Sequence, residues 1–329
     1  MVSADFKSVG GSPSTGTVGS TPSRSRHVIL MTLSAGMKWK GTLFNTMRKI
    51  LVTGGLGKLG RWVVKELECH YEVLVVDRRY PVSSDKLNSP FELIDLNQTE
   101  QIVAALKNVD AIVHLAAIPN PIGREPKEVF ENNIMTTFNV VEAAVNVGVE
   151  KIIYSGSGSA LGFAFRFKDM IPDYMPMDEL HPLRPQDSYG LSKALCEDIL
   201  LAATRRSGVS TISLRPTTVF EPADYIKKLP NALDHPKGGI MAYVDARDYA
   251  SAVLLALREN NIQHDRFFIA ADDSLSRDPL SIAFPKMFPG SELVSSGLTG
   301  TQGPITCAKA KKVLGWRPSY SWRQFIDEN

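Results

Sequence analysis

Ile50-Leu51-Val52-Thr53-Gly54-Gly55-Leu56-Gly57-Lys58-Leu59-Gly60 runs from an apolar strand into three glycines spaced three apart, Gly54, Gly57 and Gly60, and then into a helical pattern. Each of these glycines removes a Cβ where phosphates or a neighbouring strand must come close, and the helix behind them turns free N–H groups and its positive end toward an anion. Glycines also make ordinary turns, so the context decides the reading. A second apolar strand, Tyr71 to Val76, ends in Asp77, and an acid about 20 residues beyond the glycines is where a dinucleotide-binding unit holds a ribose. The stretch therefore points to a bound dinucleotide, with Gly54, Gly57, Lys58, Leu59 and Gly60 around its pyrophosphate.

Outward from this loop, strand and helix alternate with short connections, which implies an α/β fold with a doubly wound parallel sheet covered on both faces. The predicted strands are Lys49–Thr53, Tyr71–Asp77, Phe91–Leu96, Ala111–Ala117, Lys151–Ser155 and Thr211–Arg215; the predicted helices are Lys58–Glu68, Thr99–Lys107, Glu125–Val147 and Gln186–Ser207. After Pro216 the alternation weakens. The segment 222–239 is polar, basic and broken by proline and glycine, a helix follows Val244-Asp245, and a strand at Arg266–Ala270 returns toward the sheet. Residues 48–216 are read as the dinucleotide-binding Rossmann core, and 217–329 as a small substrate-binding cap with elements returning to the core, over the carboxyl ends of the strands where open α/β sheets bind ligands.

Composition narrows the function class. The 329 residues carry a net charge of +2, with no basic, aromatic-interleaved stretch of the kind that binds nucleic acid and no apolar run long enough to span a membrane. Cys69, Cys196 and Cys307 are far apart; they make neither metal-ligand spacing nor a disulfide framework, which suits a reducing compartment, and no metal site is expected. A cytoplasmic location follows. Residues 1–47 differ: they are rich in Ser, Thr and Gly, with Asp5 their only acid against Lys7, Arg24, Arg26, Lys38 and Lys40. Such a segment is expected to be a disordered extension. It reads as an organelle transit peptide, as a solvated tail, or as chain lying ahead of a start at Met47.

Tyr189-Gly190-Leu191-Ser192-Lys193 sets Tyr and Lys four apart on one helical face. A free phenol titrates near about 10, and an ammonium beside it favours the phenolate, making Tyr189 a usable acid or base. A solvated pair at a helix start reads the same way. Ser157 adds weight: it lies just past the strand Lys151–Ser155, on the cofactor side of the sheet, where a hydroxyl can bond a substrate oxygen.

With these residues in this order the chain resembles the extended short-chain dehydrogenase/reductases, the NAD-dependent epimerase/dehydratase family. The likeness rests on Thr53–Gly60 as TGxxGxxG, Asp77, Asp95-Leu96, His114-Leu115-Ala116-Ala117, Asn133 with Thr137 and Asn139, Tyr189 with Lys193, and Leu214-Arg215-Pro216. The resemblance implies that Ser157, Tyr189 and Lys193 are catalytic: Tyr189 exchanges a proton with a substrate hydroxyl or carbonyl, Lys193 lowers its pKa and holds the nicotinamide ribose, and Ser157 polarises the same oxygen. It also implies that Asp77, Arg78, Asp95, Leu96, Leu115, Ala116, Ala117, Asn133 and Pro216 bind the cofactor. A carboxylate at Asp77 suits NAD; Arg78 and Arg79 behind it leave NADP as the alternative.

Departures from the family narrow the reaction. Dehydratase members carry Asp and Glu after the Ser157 position; here Gly158 and Ser159 stand there. The short cap suits a small sugar or sugar acid, and Pro185 to Lys193 with Gly315-Trp316 and Pro318 is similar to the uronate dehydrogenase branch, which differs at Gly158, Ser159 and Pro119. Lys227, Lys228, Lys237 and Arg247 are candidates to meet an acidic substrate, or form a solvated rim. The resemblance implies a homodimer formed through the helices near Glu125–Val147 and Gln186–Ser207. The expected activity is NAD(P)-dependent hydride transfer at a hydroxyl or carbonyl of a sugar-like small molecule. A sugar epimerase using the same residues and a non-catalytic NAD(P)-sensing regulator are the alternatives.

Overall fold

A computed structural model describes residues 48–326, apart from 86 and 235–238; the extension at 1–47, and with it the readings of that segment, lies outside the described residues. Among those described, the strands are β1 (Lys49–Thr53), β2 (Glu72–Asp77), β3 (Phe91–Leu93), β4 (Ala111–His114), β5 (Lys151–Ser155), β6 (Ser210–Pro216), β7 (Thr218–Phe220), β8 (Tyr243–Asp245) and β9 (His264–Ile269). Seven of them form one parallel sheet in the order β3-β2-β1-β4-β5-β6-β9, while β7 and β8 pair in parallel beside it. The α/β doubly wound class read from the alternation is the class observed.

Each apolar strand run is divided between two cores because successive side chains point to opposite faces. Ile50, Val52, Val73, Val75 and Val113 face α1 (Gly60–Leu67). Leu51, Leu74, Ile112 and Ile152 face the other side, against α2 (Thr99–Ala105), α3 (Pro126–Val147) and α4 (Ser188–Ser207). The chain moves outward from β1 to β3, then returns to lay β4 on the free edge of β1. That reversal opens a crevice at the carboxyl ends of β1 and β4, the place where such sheets take ligands.

Beyond β6 lie α5 (Pro222–Lys227), α6 (Leu229–Asp234) and α7 (Ala246–Arg258). The sequence reading left 222–239 without helices because of its prolines. Pro222 instead occupies the first turn of α5, where its missing N–H costs nothing, and Glu221 and Asp224 make a capping box around that turn. The strands predicted to run to Leu96 and Ala117 stop at Leu93 and His114, since the following residues leave the ladder to line the crevice. No described helix is long and apolar enough to cross a membrane.

His114 stitches the crevice floor. One ring nitrogen, Nδ1, lies 2.7 Å from the Thr53 hydroxyl of β1, and Nε2 lies 3.1 Å from the Thr137 hydroxyl of α3. The ring is buried, and burial first, then the nearby Lys193 charge, push its pKa down to about 3. Between pH 3 and the ordinary value of about 6.5 the unfolded chain binds this proton and the folded chain does not. The stabilisation is therefore complete above pH 6.5 and is lost as pH falls, with a slope of about 1.4 kcal/mol per pH unit from one proton. Urea unfolding from pH 7 to pH 4.5 is expected to carry this slope, and His114→Gln, though less stable at pH 7, is expected to lose it; an unchanged slope in the variant would assign the acid sensitivity elsewhere.

Candidate active site

The crevice widens into a cleft of roughly 820 Å³ at the carboxyl edge of the sheet. Its nucleotide-sized end is built on the turn after β1. Gly54 holds φ +68°, and a Cβ there would stand 2.7 Å from the Ala116 backbone nitrogen, so the β1 and β4 turns approach as closely as backbone allows. A Cβ on Gly60 would meet the Gly54 carbonyl oxygen at 2.2 Å, which presses the first turn of α1 onto the loop. Gly54, Gly57, Lys58, Leu59 and Gly60 line the cleft, as do Asp77 and Arg78 after β2, Asp95 and Leu96 after β3, Leu115, Ala116 and Ala117 after β4, and Pro216 at the end of β6.

Asp77 is oriented by two backbone donors: Leu56 N–H gives to Oδ2 at 3.2 Å and Arg78 N–H to Oδ1 at 2.8 Å. Arg79 turns aside, pairing with Asp85 at 2.7 Å and donating to the Leu56 carbonyl at 2.8 Å. Lys58 lines the cleft with its ammonium engaged by the chain after β6. Its ammonium donates to the Val219 carbonyl at 2.5 Å and to Asp224 at 2.6 Å, tying the glycine loop to the segment after β6. Glu221 adds to this tie, accepting from Arg61 at 2.7 Å and from the Trp62 indole at 2.8 Å.

Asn133 is the site residue that the structure moves out of the cleft. It is 1% exposed; its carbonyl oxygen accepts from Ile118 N–H at 2.8 Å, and its amide donates to the Ile118 carbonyl at 3.1 Å and to Ser192 at 3.2 Å. One residue of α3 faces the core and the residue before it faces the cavity, so Asn132 and Thr136 line the cleft in its place.

At the other end, Ser157, Tyr189 and Lys193 line the same cleft, all buried. Asp187 caps α4, accepting from the Tyr189 and Gly190 N–H groups at 2.9 Å each, which sets the angle at which Tyr189 enters. Gly190 lets that turn press on the segment after Ser157, since a Cβ there would stand 2.7 Å from the Ser159 carbonyl. Behind them, buried Glu197 of α4 accepts from Arg215 Nε at 2.8 Å and from the Ser213 hydroxyl at 2.7 Å, pinning the helix to β6. Asp187 was legible as a helix N-cap; the closeness of Gly190 to Ser159 had no signal in the sequence.

Burial pushes the Tyr189 phenol up to about 12, against the hydrogen bond with Ser157 that pulls it down. Burial also pushes Lys193 down to about 8. The Lys193 ammonium donates to the Ser155 carbonyl at 2.7 Å and lies 5.8 Å from the Tyr189 ring centroid. The sequence argument had Lys193 drawing the phenol down; here the loss of solvent sets the direction, only the bond with Ser157 opposes it, and the phenol stays protonated through neutral pH.

A family model described as the NAD dependent epimerase/dehydratase family matches residues 50–270. The chain belongs to this family. A uronate dehydrogenase of Pseudomonas putida is 30% identical over 184 residues, which is 55% of this chain and 65% of that protein. A UDP-glucose 4-epimerase of Vibrio cholerae is 26% identical over 322 residues, 82% of this chain and 91% of that one. The matched stretch of a Methanocaldococcus jannaschii relative covers 56% of its length. Among solved structures, a short-chain dehydrogenase/reductase superfamily protein from Agrobacterium tumefaciens with bound NAD shares the fold at TM-score 0.66 and 20% identity, over 85% of this chain and 95% of that one.

The family's cofactor is NAD, and the cleft fits it: the glycine cradle is one that a Cβ at Gly54 or Gly60 would fill, and the Asp77 carboxylate stands at the end of β2. Gly60→Ala is expected to cost about 3 kcal/mol of stability, because both groups it meets are backbone, and to weaken NAD binding. Gly57→Ala, whose Cβ would meet only the Gly54 oxygen at 3.1 Å, is expected to cost about 1 kcal/mol or less by the same reasoning. Thermal unfolding with and without NAD checks the order, and equal costs would overturn the account of the loop.

Proposed function

We propose that this chain is an NAD-dependent oxidoreductase that moves a hydride at a hydroxyl- or carbonyl-bearing carbon of a sugar or sugar-acid-like substrate, with Tyr189 as acid and base. The observation that carries this reading is the convergence of Ser157, Tyr189 and Lys193 on the cleft whose far end is the glycine loop. NAD, when bound, takes or returns the hydride and its two electrons; the protein orients the substrate and handles the proton. In carbonyl reduction Tyr189 gives up the proton that the fold holds on it, while Ser157 bonds the same oxygen. In alcohol oxidation the hydroxyl proton passes to Tyr189 once the phenol has lost its own, a state that the raised pKa of about 12 favours only at alkaline pH. Gly158 and Ser159 line this end in place of a dehydratase's acidic pair, which favours simple hydride transfer over elimination. Arg78, also in the lining, is the residue that would accept the extra phosphate of NADP.

Tyr189→Phe is expected to lower kcat at least about 100-fold, the scale of a lost general acid, with NAD affinity within threefold of wild type. Turnover surviving within tenfold would remove Tyr189 from proton transfer. Net formation of NADH, followed by absorbance, identifies a dehydrogenase; isomerised product without net NADH identifies an epimerase.

We also propose a homodimer through α3 and α4. Met135 and Phe138 on α3, with Leu191 and Leu195 on α4, are apolar and 38–44% exposed, and residues three or four apart share one helical face. Phe138→Glu with Leu195→Glu is expected to convert a sedimenting dimer to monomer; a wild-type chain that sediments as monomer at micromolar concentration would refute the proposal.

A further inference from the structure

Lys193 enters the cleft from the second turn of α4 and is buried there. An ammonium taken out of water needs an electron-rich partner to keep its charge. Along the helix the carboxylate best spaced to serve is Glu197, four residues on and on the same face. It is committed elsewhere: it accepts from Arg215 Nε at 2.8 Å and from the Ser213 hydroxyl at 2.7 Å, and Arg266 stands 3.6 Å away. Lys193 instead donates to the Ser155 carbonyl at 2.7 Å and lies over the ring of Tyr154, 4.8 Å from its centroid. A ring face attracts a cation within about 6 Å, most strongly where water is excluded, and here both partners are buried.

Carbonyl and ring come from adjacent residues of β5, so a single strand fixes both contacts. The ring is held in turn. It lies beside His114, with centroids 5.8 Å apart and planes at 30°, and His114 is tethered to Thr53 and Thr137. The titratable groups around the ammonium are Tyr154 of β5, Tyr189, Cys196 and Glu197 of α4, and His114 of β4. Burial raises both phenols and the thiol and keeps the His114 ring unprotonated. At neutral pH these groups are therefore uncharged, apart from Glu197, which pairs with Arg215. A ring face differs from a carboxylate in one respect that matters here: it holds the ammonium without cancelling its charge, which stays available to an oxygen brought into the cleft.

Resting on the hydride-transfer reading above, we propose that Tyr154 is a positioning residue: the face of its ring seats the Lys193 ammonium beside the Ser155 carbonyl and presents it to the nicotinamide ribose of bound NAD. Tyr154 stands behind the cleft lining rather than in it, and acts through Lys193.

The test grades the ring face while keeping its size. In the full chain, Tyr154→Phe keeps the ring and removes only a hydroxyl that meets no stronger partner than the Cys196 thiol. The same phenyl ring is then given one, two and three fluorines, which add little volume and withdraw charge from its face. The charge on Lys193 is read from the carbon-13 NMR signal of its Cε, assigned by its loss in Lys193→Met and titrated around the value of about 8 to which burial brings it. Affinities for NAD and for AMP, which lacks the nicotinamide ribose, are measured by calorimetry. Tyr154→Phe is expected to leave the proton affinity of Lys193 within about twofold of wild type, and each fluorine to lower it further, to about tenfold at three. NAD affinity at pH 8 is expected to fall in the same order, at least threefold overall, with AMP affinity unchanged. A series indifferent to fluorine, in the signal and in NAD affinity, overturns the proposal, and a loss shared equally by AMP assigns the effect to packing and overturns it too. In either case a Tyr189→Phe chain that still loses turnover at least about 100-fold leaves the hydride-transfer reading standing. A graded series beside Tyr189→Phe turnover within tenfold of wild type upholds the ring seat and overturns that reading.

Discussion

The close approach of two backbones at the top of β1 and β4 is the constraint on which the rest of the cleft depends. With a Cβ-to-nitrogen separation of only 2.7 Å available at Gly54, the turn after β1 cannot carry a side chain, and its φ of +68° also suits glycine best. Gly60 then docks the helix start on the loop, with its own Cβ position 2.2 Å from the Gly54 oxygen. The turn thereby presents backbone rather than side chains to the cleft, which is the condition for a close approach by a pyrophosphate.

A second constraint orients the reacting end. Tyr189 sits in the first turn of α4, where a small change of helix entry angle moves a long side chain by ångströms. Three separate contacts remove that freedom: the Asp187 cap, the Gly190–Ser159 approach and the buried Glu197–Arg215 pair. The last is a charge pair inside the core, which contributes little net stability but is strongly unfavourable to break, so it holds helix and strand in one relation. The burial that fixes Tyr189 is also what raises its pKa; position and proton affinity come from the same packing.

Much of this was legible in the residues. Unbroken apolar runs marked the strands, and the glycine spacing with Asp77 marked the crevice, because both patterns arise from local geometry that any sequence must satisfy. Asn133 shows where that legibility ends. Asn132 and Asn133 are both polar residues on one helix, and whether a given one faces the core or the cavity depends on how α3 is rotated against β4, a tertiary quantity. The helices α5 and α6 were missed for a different reason: Pro230 was weighed as a breaker, although it stands in the first turn of α6, where proline is tolerated. Lys58 was assigned by its place in the loop, while its direction depends on Asp224, 166 residues away.

That long-range pairing has a consequence for the chemistry of the cleft. Lys58, Lys228, Arg61 and Arg247 all lie near the segment after β6, and each meets a carboxylate of Asp224, Glu221 or Asp245. Acids from one segment thereby neutralise bases from another where the glycine loop meets the chain after β6. Asp77 and Arg78, which also line the cleft, stand apart from these pairs at the end of β2. The glycine loop is in this way held from two sides, by backbone contact with the turn after β4 and by ion pairs with the chain after β6.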